Sequence, residues 1–370
     1  MRSLLLILMI LALLTTQGCY DAVDLNEQIF AVNLALDKGE TAALRLTLQV
    51  PQVTPTGKDP AQTDSDLQKN GYVLHKVEGD TLSDCLQLMH MVTPRKLSLL
   101  QLRGVYLSQA IAQDEELLPS CLAVLNDART VRASALIYLT RGDAQEVLQA
   151  QLPLFGARLS KAQQAQSRAL LDQGVIPAAS LKHFAQALSE PCAAAVAILA
   201  AVNDPSPDET VQSSSLPAAH LAGELPRITA DRVDVCGSAL VGRNGLILLD
   251  GYETQLMNLL HGDIKTLTLT AENRQVQLTL RRKPRIRVQT DGTVPRIELK
   301  LSVRIHDADS DRLTESFYQD ILSLLLKLQQ NGLDPLNLTG RARARTLTLA
   351  QWEAMEWERL YPAAEWTLST

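Results

Sequence analysis

Cys19 is the residue whose position in this sequence most directly indicates chemistry. One basic residue, Arg2, leads into an unbroken apolar run at residues 4–14, and a short polar stretch then ends at Gly18 and Cys19. A basic start, an apolar middle and a small residue at the end are typical of a secretory leader. At a rise of about 1.5 Å per residue, the run reaches only about half of a ~30 Å hydrocarbon core, so it is too short for a membrane-spanning helix.

The Gly18–Cys19 pair directly after the apolar run resembles the lipobox of bacterial lipoproteins. In that interpretation residues 1–18 are a signal peptide, and Cys19 becomes the mature N-terminus with diacylglycerol on its sulfur. Two or three acyl chains such as palmitate, at about 0.8 kcal/mol per buried methylene, hold a protein firmly on a membrane. The sequence departs from this signal at Thr16, where an aliphatic residue is usual. A plain secretory leader with an unmodified cysteine is the alternative.

Elsewhere the sequence contains no recognisable catalytic or cofactor motif. The zinc-protease, nucleophile-elbow, P-loop and dinucleotide-binding patterns are all absent. None of the six histidines has a metal-ligand spacing. The nearest approach to a cluster is His306 with Asp307 and Asp309, which we interpret as a solvated turn. We therefore predict a protein that is not an enzyme, without a cofactor and without a metal site.

Cysteines and arginines outside the leader allow more than one interpretation. An even number of cysteines in an exported protein permits two disulfides, but cysteine is also common in cores as a small reduced hydrophobe, and we favour the second interpretation for Cys85, Cys121, Cys192 and Cys236. The basic runs at 281–287 and 341–345 either contact lipid phosphates or an acidic partner, or are solvated faces whose arginine stems cover apolar surface. We favour the solvated faces.

Composition limits the remaining classes of function. The chain has 370 residues, 46% hydrophobic and 21% charged, which is typical of globular domains. Its formal net charge of -6 lacks the basic footprint of a nucleic-acid-binding protein. A chain of this length exceeds what one hydrophobic core usually organises, so we expect two or three domains. Beyond the leader there is no apolar run of 18 residues, and the lipid would be the only anchor.

The apolar pattern predicts an α+β fold, with two or three mixed domains whose mainly antiparallel sheets are flanked by helices. Residues 19–202 are predicted to form an N-terminal α+β region of one or two subdomains, with a hairpin at 28–53, one strand at 97–106, and helices at about 160–173 and 178–189. Residues 203–230 are a linker that begins with a stretch rich in proline and serine.

Residues 231–370 are predicted to form a C-terminal α+β domain. The domain begins with two strands and a helix over 253–261 that ends at Gly262. A series of alternating strands comes next, with IELKLSVRI at 297–305 as a single strand. A long amphipathic helix follows, with an apolar stripe at Phe317, Ile321, Leu324, Leu325 and Leu328. A last helix at about 349–360 carries Trp352 and Trp357 on different sides.

The sequence also resembles the Ger(x)C spore germination lipoproteins, which form the C subunit of nutrient germinant receptors. Near the start, the family pattern is matched by Cys19, Tyr20, Asp21, Asp24, Leu25, Asn26, Glu27, Leu36 and Asp37. In the C-terminal half, NGLILLDGYETQLMNLLHG matches a strand, a turn and a helix, with Glu253, Leu260 and Gly262 in place. The departures are Tyr20 for the usual Trp, Asp24 for the usual Glu, and Leu248 and Leu256 for two glycines.

This resemblance implies a lipid-anchored receptor subunit on the outer face of the inner spore membrane, beside two integral-membrane subunits. It implies a role in germination through receptor assembly or signal coupling, with no known catalytic residues and no cofactor. A lipid-anchored extracytoplasmic solute-binding protein is the alternative from another class, and it would need two lobes around a ligand cleft. The sequence identifies no small-molecule ligand.

Overall fold

The computed structural model describes residues 24, 27–51, 71–127, 130–152, 159–190, 192–203, 218–226, 232–243, 245–271, 274–290, 294–305 and 310–369. In these ranges no helix is both long and apolar enough to cross a membrane. The strands are β1 (Gln28–Phe30), β2 (Asn33–Lys38), β3 (Leu44–Pro51), β4 (Tyr72–Gly79), β5 (Lys96–Ser98), β6 (Gly104–Ser108), β7 (Leu136–Thr140), β8 (Ala195–Val202), β9 (Val233–Gly242), β10 (Gly245–Leu249), β11 (Thr266–Ala271), β12 (Arg274–Leu280), β13 (Arg285–Gln289), β14 (Arg296–Lys300), β15 (Val303–Ile305) and β16 (Glu365–Ser369). The helices are α1 (Leu82–Val92), α2 (Gln109–Ala112), α3 (Leu117–Leu125), α4 (Ala144–Ala150), α5 (Leu159–Gln173), α6 (Leu181–Ala187), α7 (Gly251–His261), α8 (Ser310–Gln330), α9 (Leu338–Arg343), α10 (Leu349–Met355) and α11 (Trp357–Leu360).

An eight-stranded sheet forms the centre of the fold, in the order β10-β9-β8-β7-β6-β2-β3-β4. Its middle strands β2, β6, β7 and β8 run parallel, and both ends of the sheet are antiparallel. Strands in the middle of such a sheet are buried on both faces, so their sequences are continuously apolar rather than alternating. Strand β8, AVAILAAV, has this composition.

The β8–β10 end of the sheet lies between two hydrophobic cores. Successive side chains of a strand point to opposite faces, so each of these strands supplies both cores. One face joins the core formed with the N-terminal helices through Ala195, Ala197, Ala239, Val241, Leu246 and Leu248. The other face joins the core of the C-terminal elements through Ala194, Val196, Leu240, Ile247 and Leu249.

Two three-stranded sheets, β11-β12-β15 and β13-β14-β16, complete the fold together with α8. The predicted stripe of α8 is confirmed, because all five of its side chains are buried in the second core. Gly262 ends α7 with a left-handed φ of 77°, as predicted from its position after the last helical residue. The predicted class, α+β with mainly antiparallel sheets and flanking helices, is confirmed.

Gly237 allows β9 to bulge in the middle of the large sheet. The register moves from Ile198 opposite Ser238 to Ala200 opposite Val235, so two residues of β9 oppose one of β8. Gly237 has a φ of 89°, and a Cβ there would collide with the carbonyl oxygen of Leu249. Glycine is therefore required both by the backbone conformation and by the close approach of β10.

Three of the predicted elements were wrong in detail. The predicted strand at 97–106 is two strands, β5 and β6, in different sheets, with a turn between them. The predicted strand at 297–305 is likewise divided between β14 and β15, which pair with different partners. The predicted helix at 349–360 breaks at Glu356, whose φ is 48°, so the rings of Trp352 and Trp357 contact each other with centroids 6.5 Å apart. Trp357 is buried, as expected for at least one tryptophan.

Glu78 on β4 fastens the turn between β2 and β3 and gives the fold a pH dependence that can be measured. Its Oε2 accepts hydrogen bonds from the Thr41 hydroxyl at 2.6 Å and backbone N–H at 2.8 Å, and its Oε1 accepts one from Arg45 Nε at 2.9 Å. The Thr41 donors, with those of Glu40 and Arg45, lower the pKa of Glu78 from 4.5 to about 2. Because the folded pKa is the lower one, this carboxylate stabilises the fold above pH 4.5, and the contribution is lost as the pH falls towards 2.

We expect Glu78→Gln to reduce the loss of unfolding free energy between pH 4.5 and pH 2, measured by urea unfolding at a series of pH values. Glu115→Gln, which removes the same charge from an exposed position on the same half of the chain, is the control and should keep the native pH profile. If the Glu78→Gln variant loses stability with falling pH as the native chain does, the role assigned to Glu78 is wrong.

Candidate functional site

The predicted lipidation site cannot be placed in the fold. It lies outside the described residues, together with the neighbouring family residues and the cluster interpreted as a solvated turn, namely Cys19, Tyr20, Asp21, His306, Asp307 and Asp309. Lipidation and the solvated turn therefore stay predictions. Within the described ranges, no group of three His, Cys, Asp or Glu side chains is arranged to hold a metal ion.

Asp37, at the end of the first long strand, holds the start of a helix. Its carboxylate accepts the backbone N–H groups of Ala144 at 2.7 Å and Gln145 at 2.9 Å, which are the first residues of α4. Helix N-termini present unpaired N–H groups and favour negative charge. Burial raises the pKa of Asp37, while these two donors lower it. The residue that carries the family resemblance here thus links β2 to α4.

Glu253 has a comparable role at the start of α7. It forms a capping box with Asp250: Asp250 Oδ1 accepts the Glu253 N–H at 2.7 Å, and Glu253 Oε2 accepts the Asp250 N–H at 3.1 Å. Lys327 of α8 donates to both carboxylate oxygens, at 2.7 and 2.9 Å. The Asp250–Glu253 box therefore also fixes α8 against α7.

The two basic runs have different surroundings. In the run at 341–345, Arg341 donates to the carbonyl oxygen of Ile286 at 3.2 Å, and Arg343 pairs with Glu190 at 3.4 Å. The run at 281–287 instead lines an open cavity of about 280 Å³, whose charged lining is entirely cationic: Arg281, Arg282, Lys283, Arg285 and Lys300. Such a cavity can hold the oxygens of a phosphate or carboxylate.

A buried polar network in the N-terminal half was not expected from the sequence. Asn33 Nδ2 donates to Gln49 Oε1 at 2.6 Å and to Gln163 Oε1 at 3.0 Å. Gln163 Nε2 donates to Gln151 Oε1 at 2.7 Å, and Gln151 Nε2 donates to the Tyr106 hydroxyl at 3.0 Å. The network connects β2, β3 and β6 with α5, so amide groups, together with the partly buried Leu170 and Leu171, pack α5 on the sheet.

Beside this network lies a cavity of about 260 Å³ whose charged lining residues are Arg103, Arg132 and Arg168. The rings of Tyr106 and Tyr138 stack next to it with centroids 4.4 Å apart and an angle of 4° between their planes. Burial raises the pKa of both tyrosines, so the hydroxyls stay protonated and act as hydrogen-bonding groups. Guanidinium groups recognise carboxylates and phosphates through paired N–H donors. The cavity can therefore hold a small anion.

The four described cysteines are free, as predicted. Burial raises the pKa of Cys85 and Cys192 to about 11 and that of Cys121 and Cys236 to about 12. Only the thiolate is an effective nucleophile. These thiols therefore belong to the packing of the cores and are not reactive groups.

Comparison with known proteins assigns both halves of the chain. The family model described as the spore germination protein N-terminal domain matches residues 21–201, and the model described as spore germination B3/GerAC like, C-terminal, matches residues 237–370. The chain belongs to the GerAC-like spore germination family. The resemblance identified from the sequence is thereby confirmed.

Among solved structures, the crystal structure of the GerBC protein is similar over 91% of this chain and 94% of that chain, with 14% sequence identity and a TM-score of 0.49. No curated protein matches the chain. The two GerAC-like matches leave residues 202–236 between them, a stretch that includes the predicted linker at 203–230. The first strand after the predicted linker is β9, which pairs with β8 in the large sheet. The division into domains at 203–230 stays a prediction.

Substitutions at Glu253 can separate its two roles in this GerAC-like chain. Glu253→Gln keeps a side chain that can complete the capping box but loses the ion pair with Lys327, and it should cost at most about 1 kcal/mol because the pair is partly exposed. Glu253→Ala loses both and should cost roughly 0.3–1.5 kcal/mol more. Urea unfolding measures both values. Lys327→Met is the control: it leaves the capping box in place and removes the ion pair, together with a long 3.4 Å hydrogen bond from Nζ to the carbonyl oxygen of Leu248. Its loss should be close to that of Glu253→Gln, and equal losses for Glu253→Gln and Glu253→Ala would contradict the capping role.

Proposed function

We propose that this chain is a non-enzymatic, lipid-anchored subunit of a spore nutrient germinant receptor. The observation that carries the proposal is the match of two germination family models to residues 21–201 and 237–370, on both sides of the predicted linker. The subunit acts through binding, in receptor assembly or in coupling the signal at the inner spore membrane. Its partners are two integral-membrane receptor subunits.

The anchor is Cys19, at the end of the leader, and the length of chain after it supports a body held close to the bilayer. Strand β1 begins at Gln28, nine residues after Cys19. A fully extended chain spans at most about 3.6 Å per residue, so the two are separated by at most about 32 Å. Export by the leader puts the body on the extracytoplasmic face. The short segment keeps it within reach of membrane subunits and of lipid headgroups.

The polar side chains of the described residues support binding rather than catalysis. Asp37 and Glu253 are occupied by helix N-termini, and the cysteine thiols are held protonated by burial. The groups available to a partner or ligand include the cations that line the two cavities. Contacts of this kind suit a subunit that holds other components in place.

Cys19→Ala tests the anchor directly. We expect the variant to be lost from the membrane fraction and to lose the germination response, since no lipid can be attached without the thiol. Fractionation of spores and the fall in optical density on adding a germinant measure the two effects. Cys192→Ala, which changes a half-buried cysteine elsewhere, should keep both properties. Full germination with a soluble, unlipidated protein would contradict the proposal.

A second function, binding of a small anionic solute, is favoured by one observation: the cavity of about 260 Å³ whose charged lining is three arginines. A ligand present at 100 times its Kd stabilises the folded state by about 2.7 kcal/mol, which is seen as a rise in Tm. In a thermal-shift screen of amino acids, organic acids and sugars, a carboxylate-specific rise that disappears in Arg168→Gln supports this function. Arg345→Gln, an exposed arginine in the C-terminal half, is the control. If no carboxylate raises Tm, this second function is wrong.

A further inference from the structure

Three large apolar side chains lie exposed together at the C-terminal end of α1. The exposed fractions are 39% for Leu88, 79% for Met91 and 61% for Val92. Residues at i, i+3 and i+4 of a helix are neighbours on one face, so these side chains form one patch. Single exposed apolar residues are common on protein surfaces, but a contiguous group indicates a contact with another surface.

Cations continue this patch along the chain. Arg95, just before β5, and Lys96, its first residue, are both exposed, and neither forms an ion pair within the described part of the chain. Exposed apolar side chains next to unpaired cations are typical of surfaces that enter the headgroup region of a membrane containing anionic lipid.

The position of the patch relative to the N-terminal segment indicates that the surface it contacts is a membrane. Strand β1 pairs in parallel with β5, and the register places Gln28 opposite Lys96 and Ile29 opposite Leu97. Gln28 is the ninth residue after Cys19, so the start of β1, opposite Lys96, lies at most about 32 Å from the lipid attachment site. A lipid on Cys19 would thus hold the β1–β5 edge of the protein within about 32 Å of the bilayer.

We propose that Leu88, Met91, Val92, Arg95 and Lys96 form a membrane-docking patch that inserts its apolar side chains into the interface of an anionic bilayer. The inference rests on the proposed lipid anchor and adds a second point of contact to it. An anchor at the end of a short segment fixes distance but leaves orientation free. The patch supplies orientation, because the parallel β1–β5 pair connects it to the point where the segment enters the fold.

Fluorescence quenching by lipid tests this contact in the lipidated full-length protein. The environment-sensitive dye NBD is attached at Met91→Cys, and separately at Leu347→Cys, a matched apolar position that is 92% exposed in the C-terminal half. Both variants also carry Cys192→Ala, which removes the half-buried thiol. The protein is reconstituted on vesicles of 30% phosphatidylglycerol and 70% phosphatidylcholine that contain a doxyl-labelled phosphatidylcholine. We expect at least twofold stronger quenching at position 91 than at position 347, and a loss of that difference in the Arg95→Glu, Lys96→Glu variant.

Vesicle flotation reports the anchor independently of the quenching. Protein that floats but shows equal quenching at positions 91 and 347 overturns the docking patch and leaves the anchor intact. If the dye at position 91 is shielded only when the integral-membrane subunits are present, the docking patch is also overturned, in favour of a protein contact. If the chain fails to float, the anchor is wrong, and quenching at position 91 at high vesicle concentration decides for or against the patch alone. Val92→Cys repeats the measurement if Met91→Cys lowers Tm.

Discussion

Strands β8 and β9 pair antiparallel, and this pairing joins the two parts of the chain that the family models match separately. It also lies between the two hydrophobic cores, since most side chains of β8 and β9 enter the first core while Val196 and Leu240 enter the second. Alanine predominates in β8, and such small side chains let helices approach both faces of the sheet closely. The C-terminal elements therefore pack on the face of the large sheet opposite to the one that packs against the N-terminal helices. Neither part can complete its core without the strands β8 to β10.

From this pairing, a continuous set of contacts extends to the long helix α8. The bulge at Gly237 brings β9 against the end of β10, where Asp250 starts α7. Asn258 of α7 donates to the carbonyl oxygens of Gly174 and Ile176, which directly follow α5. Lys327 of α8 completes the series through Glu253. Helix α5 covers the arginine-lined cavity in the N-terminal half, so that cavity and α8 are joined by hydrogen bonds and packed helices rather than by a loose linker.

The features that were predictable from the sequence are those with a local cause. The stripe on α8 repeats at helical spacing, Gly262 follows the last helical residue, and the apolar–polar alternation of β12 needs only its own residues. The break between β14 and β15 was missed because Leu301 and Ser302 continue the same alternation, so only pairing with different sheets separates the strands.

Features with a non-local cause were not predictable. The turn at Glu356 has a left-handed φ in a residue type with no preference for it, and the packing of Trp352, Trp357 and Tyr361 stabilises it. The network of Asn33 and Gln163 joins residues 130 positions apart, each of which is an ordinary surface type when considered alone. A polar core of this kind has no periodic signal, because it depends on every donor finding one particular acceptor.

Charge is distributed in a way that the net value conceals. The chain carries -6 overall, yet the charged lining of one cavity in each half is entirely cationic. At physiological ionic strength exposed charges are screened beyond about 8 Å, so an anion in either cavity is attracted by the nearby guanidinium and ammonium groups and is little affected by distant carboxylates. The net charge argues against a broad surface that binds a polyanion, but it is compatible with a small site that binds a single anion. Attraction to anionic groups is therefore local in this protein, and it is concentrated where the fold brings cationic side chains together around the two cavities.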